Sequence, residues 1–357
     1  MTARISGVVK IVGTGLIGTS IGLALSRLDV SVILEDASPA NERLAADYGA
    51  GSIATGTETP TLVVVCVPPD VAARVVAAQL KLHPTAVVTD VASVKSAIID
   101  ELAVSGAEIQ RYVGSHPMAG RERGGAASGR ADIFIGRPWV IATHSEADTS
   151  TMKLVEELAL DLGSNPIRMT PKEHDRAVAL VSHVPQLVSS LLAARLVGSN
   201  GVELAGQGLR DTVRIAASDP KLWVQILGAN ASEIVSVLRD YQQDLGRVIE
   251  ALSDVQAAGA LSAIDQAIAA GNRGVEQLPG KHGSKRSQLE KFIVVIEDRP
   301  GELARLFNEV TEIGINVEDL KLEHNPGVQL GMLEISVEPR QAEKFQAELT
   351  ARGWRFA

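Results

Sequence analysis

The chain has 357 residues, 45% of them apolar, 22% charged and only 3% aromatic, with a net charge of −9. This length favours two or three domains over one core, and an acidic balance without a basic tract argues against nucleic acid or an anionic membrane as partner. The lone cysteine, Cys66, rules out a disulfide framework and a cysteine-based metal site. With no apolar run of bilayer length and no leader-like N-terminus, the chain reads as cytoplasmic.

In chain order, residues 8–12 are a β-branched run ending in Gly13-Thr14-Gly15-Leu16-Ile17-Gly18, residues 20–28 have helical spacing, and residues 31–34 form a second strand ending in Glu35-Asp36. A strand, a glycine turn, a helix and a strand closing on an acidic pair make a mononucleotide-binding βαβ unit. Further strands are predicted at 62–67, 86–89 and 138–143, and the alternation with helices implies a doubly wound, mostly parallel Rossmann-type sheet. From about residue 171 apolar residues recur at helical spacing, with long helices predicted over 234–252 and 255–270, so this region is all-α. Residues 279–287 are polar, basic and turn-rich, a solvated linker. Beyond them the signals run strand, helix, strand, strand, helix.

In the glycine turn, Gly13 permits the bend, Gly15 lets a pyrophosphate approach the backbone, Gly18 packs helix on sheet, and the helix N-terminus at Leu16 and Ile17 offers free N–H groups. Asp36 is the candidate for the ribose hydroxyls. No arginine or lysine immediately follows it to receive a 2′-phosphate, so the expected cofactor is NAD. His116, in Gly114-Ser115-His116-Pro117-Met118-Ala119-Gly120, is predicted to lie just beyond a strand ending at Tyr112-Val113, where α/β folds bind ligands, and a neutral imidazole there suits a proton acceptor. Ser93, in Asp90-Val91-Ala92-Ser93-Val94-Lys95, reads as a helix N-cap compatible with a site role.

These segments, with His174-Asp175, Ser182-His183-Val184-Pro185 and Arg214-Ile215-Ala216, together resemble the prephenate and arogenate dehydrogenase family over about residues 8–255. The C-terminal Asp298-Arg299-Pro300-Gly301-Glu302 and Gly314-Ile315-Asn316-Val317 resemble an ACT domain, a ferredoxin-like α+β amino-acid-sensing module. The resemblance implies an NAD-binding domain over 1–168, a helical dimerisation and substrate domain over 169–275, a linker over 276–289 and a regulatory ACT domain over 290–357. It implies that His116 is the catalytic histidine, that Ser93 orients it, that Arg214 grips a substrate carboxylate, and that Glu122 and His174 line the site. The family commonly has a second histidine where this chain has Gln186.

The implied reaction is oxidative decarboxylation of prephenate to 4-hydroxyphenylpyruvate by a homodimer, with no metal. Arogenate is the rival substrate; an ammonium there should favour a carboxylate partner, and Gln186 is neutral. A 3-hydroxyacid dehydrogenase is disfavoured by the histidine motif, and a non-catalytic NAD and amino-acid sensor by the presence of Ser93, His116 and Arg214. In the C-terminal module, Asp298, Pro300 and Gly301 form a turn before a helix near Glu302, with Asn316 on an adjoining strand, and tyrosine is the expected effector.

Overall fold

The N-terminal β-branched run folds as β1 (Val8–Val12), followed by α1 (Leu16–Ser26) and β2 (Ser31–Glu35). Then come α2 (Pro39–Asp47), the two-residue β3 (Ser52–Ile53), β4 (Leu62–Val65), α3 (Pro69–Leu82), β5 (Val87–Asp90) and α4 (Ser96–Ser105). The five strands form a parallel sheet in the order β3-β2-β1-β4-β5. The strand order reverses at β1, which places the glycine turn at the carboxyl edge beside the switch point. Both faces are buried: Val9, Ile11, Ile21, Leu25 and Leu34 form one core, while Val63, Val65, Val76, Leu80 and Val88 form the other. Burial on two sides explains why these strands read as unbroken apolar runs.

The next strands correct the expectation of one mostly parallel sheet. β6 (Gly114–Pro117), β7 (Pro138–Ala142) and β8 (Asn165–Met169) make a separate three-stranded sheet, with β6 antiparallel and β8 parallel to β7. His116 is therefore inside a strand, paired with Val140, and not beyond one. Gly, Ser, His and Pro carry little β-propensity, so the ladder to β7 decides their conformation. β8 had no sequence signal because its residues are mostly exposed and include Pro166. α5 (Thr149–Asp161) packs beneath, and Trp139 and Phe134, fully buried with ring centroids 5.3 Å apart, fill the core as apolar side chains do.

The structure is a computed structural model of the chain that describes residues 2–120, 124–278, 289–324 and 330–357. It divides into two units, Met1–Tyr241 and Gln242–Ala357. In the first unit, α6 (Pro171–Val178) starts at a capping box of Thr170 with Glu173 and leads through a π-turn at Ala179–His183 into α7 (Val184–Ala194). Pro185 lacks the N–H that would close an α-turn there, which accounts for the wider turn. The helix Pro171–Ala194 has the length and apolar content of a membrane span, yet it buries His174, Asp175 and His183, all hydrogen-bonded to protein. α8 (Gln207–Val213) and α9 (Pro220–Ala229) follow, the latter capped by Asp219 as predicted. α10 (Ala231–Ser253) runs across the unit boundary, and α11 (Ala260–Glu276) starts later than predicted, at the left-handed Gly259.

The second unit then forms β9 (Glu290–Glu297), α12 (Glu302–Glu312), β10 (Asp319–His324), β11 (Leu330–Val337), α13 (Pro339–Ala351) and β12 (Arg355–Phe356). The sheet is antiparallel, in the order β10-β11-β9-β12, around a core that includes Val294, Leu306, Leu333, Phe345 and Trp354. Asn316 precedes β10 and is not on a strand, correcting the sequence expectation.

Candidate active site

The glycine turn has the shape that its sequence requires. Gly13 has φ +99°, and a Cβ there would lie 2.5 Å from the Cys66 carbonyl oxygen; at Gly18 a Cβ would lie 1.9 Å from the Gly13 carbonyl oxygen. At Gly15 a Cβ would meet nothing within 4 Å. That open side faces the start of α1, which has neither a side-chain cap nor an acidic residue in its first turn. Uncapped N–H groups at a helix start suit a phosphate, so the residues present fit a dinucleotide. Asp36 is fixed beside them: Oδ2 accepts from Thr14 N at 2.6 Å and Thr14 Oγ1 at 2.9 Å, and Oδ1 from Ser38 N at 2.8 Å. Glu35 instead pairs with the buried Lys10 at 2.7 Å. Gly15→Ala is expected to weaken NAD in a calorimetric titration while leaving the thermal midpoint unchanged, whereas Gly18→Ala should lower both. Unaltered NAD binding by Gly15→Ala would remove the pyrophosphate from this turn.

At the end of β5, Asp90 is fully buried and receives three donors. Lys95 Nζ and the Ala92 N–H bond Oδ1, the latter at 2.8 Å, and the Tyr112 hydroxyl donates to Oδ2 at 2.6 Å. Burial holds the Lys95 ammonium below the ordinary lysine value against the pull of Asp90, and it raises the Tyr112 phenol well above its usual range. Gly114 leaves room for this cluster: a Cβ there would lie 2.9 Å from the Tyr112 hydroxyl and 3.1 Å from Lys95 Cδ. The strand bearing His116 thus packs directly on the Asp90 network.

His116 Nδ1 lies 2.8 Å from His174 Nε2, and His174 Nδ1 lies 2.8 Å from Asp175 Oδ1. Asp175 also accepts from the backbone N–H groups of Lys95 at 2.9 Å and Ser96 at 2.7 Å, so it caps α4 from another helix. This corrects the predicted cap: Ser93 makes no side-chain hydrogen bond among the described residues, and α4 begins at Ser96. Burial raises the pKa of Asp175, but the bonds from His174, Ser96 and Lys95 outweigh it and leave the carboxyl below the usual range. A carboxylate only accepts, so His174 carries its proton on Nδ1 and accepts at Nε2. His116 must then donate from Nδ1, which leaves its Nε2 a lone-pair acceptor. Burial above all, with the Lys95 ammonium acting in the same direction, drives the His116 pKa well below 6.5.

The other expected site residues are spread wider. Gln186, buried on α7, lies with Nε2 2.7 Å from Ser218 Oγ and 3.2 Å from Ser190 Oγ. Arg214 is exposed at the start of a 3-10 turn packed against α7, outside the His116–His174–Asp175 chain. Glu122 lies outside the described residues. Asp90, Lys95, Asp175, His183 and Asn230 had no role from sequence. In the second unit, Asp298, Pro300, Gly301, Leu322 and Gly331 line a pocket of about 380 Å³. Asn316 instead donates to Glu318 Oε1 at 2.5 Å.

Two family models match: the nucleotide-binding domain of prephenate dehydrogenase over residues 21–167 and its dimerization domain over 170–264. The probable prephenate dehydrogenase NovF of Streptomyces niveus is 36% identical, over 96% of this chain and 98% of its own. A crystal structure of prephenate dehydrogenase from A. aeolicus with hydroxyphenyl propionate and NAD+ shares the fold at TM-score 0.67 and 24% identity, over 76% of this chain and 99% of that one. Synechocystis arogenate dehydrogenase matches at TM-score 0.63 and 26% identity, over 75% and 100% of the two chains.

Proposed function

The chain belongs to the prephenate dehydrogenase family and is an NAD-dependent oxidoreductase, and we propose that it converts prephenate to 4-hydroxyphenylpyruvate, with His116 as the base. NAD, when bound, supplies the acceptor for the hydride leaving the hydroxyl-bearing ring carbon. His116 Nε2 takes the proton of that hydroxyl. The bond to the ring carboxylate breaks, CO₂ departs, and its electron pair completes the aromatic ring while the ring oxygen recovers the proton from His116, so the protein need mainly position the substrate and relay one proton. The observation that carries this reading is the Asp175–His174–His116 chain, which leaves an unprotonated nitrogen on His116.

Around that base, Ser93 at the β5–α4 junction contacts the substrate hydroxyl, and Arg214 supplies a planar cation for a carboxylate. Gln186 and His174 complete the lining, and Asp36 with Gly13, Gly15, Leu16, Ile17 and Gly18 holds NAD. The domain division is 1–168, 169–275 and 290–357, joined by the linker. The exposed apolar residues Leu245, Ile249 and Leu261 suit a dimer interface. Arogenate is the second reading, favoured by the likeness to an arogenate dehydrogenase. Initial rates with prephenate and arogenate, each with NAD and NADP, test the reading. NADH formation fastest with prephenate is expected; a preference for arogenate would overturn the substrate assignment.

The C-terminal unit is an ACT domain, and its βαββαβ order and the pocket beside Gly301 support that reading. Tyrosine is its effector, and regulation requires tyrosine to bind one arrangement of these domains better than another. Tyrosine should inhibit the full chain, and Asp298→Ala should weaken that inhibition. Equal inhibition of both proteins would place tyrosine in the active site as a product mimic.

A further inference from the structure

A second imidazole in the first unit is held in the opposite tautomer to His116. His183, on the π-turn between α6 and α7, is only 2% exposed, and its Nδ1 lies 3.1 Å from Asn230 Nδ2. The direction of that bond follows from Asn230's other contact. The same nitrogen donates to the main-chain carbonyl of Asp175 at 2.8 Å, and a carbonyl oxygen only accepts, so the facing atom is the amide nitrogen. Nδ1 of His183 therefore accepts, and in the neutral ring the proton sits on Nε2. The ring is neutral because burial, above all, pushes its pKa down to about 4.

Trp223 packs edge-on against His183, ring centroids 6.2 Å apart, which fixes the plane of the imidazole. Its Nε2–H has no protein partner among the described residues. Nor is it one of the fully buried polar atoms without a partner, so this N–H opens on accessible space where a ligand oxygen can bond it. Through Asn230, His183 is joined to the main chain of Asp175, the residue that anchors the His174–His116 pair. One site thus holds an acceptor nitrogen on His116 and a donor on His183.

We propose that His183 is a specificity-determining residue that touches the substrate, its Nε2–H donating to a carboxylate or carbonyl oxygen while His116 Nε2 accepts the hydroxyl proton. The inference rests on the reading given under Proposed function. An ammonium group presents only donors and is disfavoured at this nitrogen, so the residue selects for oxygen acceptors.

Two variants separate this role from a purely structural one. In His183→Asn the side-chain oxygen occupies the place of Nδ1 and still accepts from Asn230, but the Nε2–H donor is gone. In His183→Gln the amide reaches the place of Nε2, and the bond to Asn230 is lost. The expected result for His183→Asn is a KM for prephenate raised by about ten- to a hundredfold, the range for a lost hydrogen bond to a charged or buried acceptor. Its KM for NAD and thermal midpoint should stay near those of the unaltered enzyme. His183→Gln should show the reverse, a lower midpoint with a prephenate KM nearer the original. An unchanged prephenate KM in His183→Asn, with the unaltered enzyme turning over prephenate, overturns the donor assignment alone. An unaltered enzyme that forms no NADH from prephenate overturns the functional reading, and the donor assignment with it.

Discussion

Replacement of His116 by asparagine is expected to lower kcat by about 10²-fold or more, the usual cost of losing a general base, while the Kd for NAD stays nearly unchanged. Asparagine keeps a polar group near His174 but has no nitrogen lone pair to take a proton. The pH profile should carry the same signature. The base acts unprotonated, so activity is lost as pH falls through its pKa, and that pKa is held well below 6.5 by burial and by the Lys95 ammonium. kcat/KM should therefore stay level from neutral pH through 6.5 and fall only below it. Because the Lys95 charge is one of the causes, Lys95→Met should move the acid limb upward. Near-normal turnover in His116→Asn, or an acid limb at or above 6.5 in the unaltered enzyme, would remove His116 from the role of base.

Lys95→Met should also be the most destabilising substitution in the nucleotide-binding region. It leaves the Asp90 carboxylate fully buried with only the Tyr112 hydroxyl and the Ala92 N–H as partners. Removing one member of a buried ion pair costs about 3–5 kcal/mol, which corresponds to a fall in thermal midpoint on the order of 10 °C for a domain of this size. Removing both charges, in Asp90→Asn with Lys95→Met, should restore much of the loss, since the penalty comes from the stranded charge and not from the missing pair. A double variant as unstable as the sum of the two single ones would show that the pair does not act as a unit.

Local chemistry made part of this molecule legible in its sequence. The glycine turn, with Asp36 two elements later, could be read because each glycine answers to a steric need within a few residues of chain. His116 stood out as a polar residue among small ones, but its strand did not, since the ladder to β7 imposes it from outside. The groups that set its protonation were harder still. Asp175 bonds Lys95 from 80 residues away, and His174 reaches His116 across 58. Only the His174-Asp175 motif pointed to them, with His174 read as lining the site and Asp175 given no role. His183 stood in the Ser182-His183-Val184-Pro185 motif without a role of its own, and its partner Asn230 follows it by 47 residues in an unremarked turn. Tautomers are set by such long-range contacts, so no spacing rule reaches them.

The proposed reaction at His116 couples hydride transfer to loss of the ring carboxylate. Single-turnover product analysis tests it most directly, with prephenate and NAD mixed with the full-length enzyme and NADH, CO₂ and 4-hydroxyphenylpyruvate measured in the same sample. Equal amounts of all three are expected from each prephenate consumed. NADH formed without matching CO₂, or no NADH at all, would contradict that coupling.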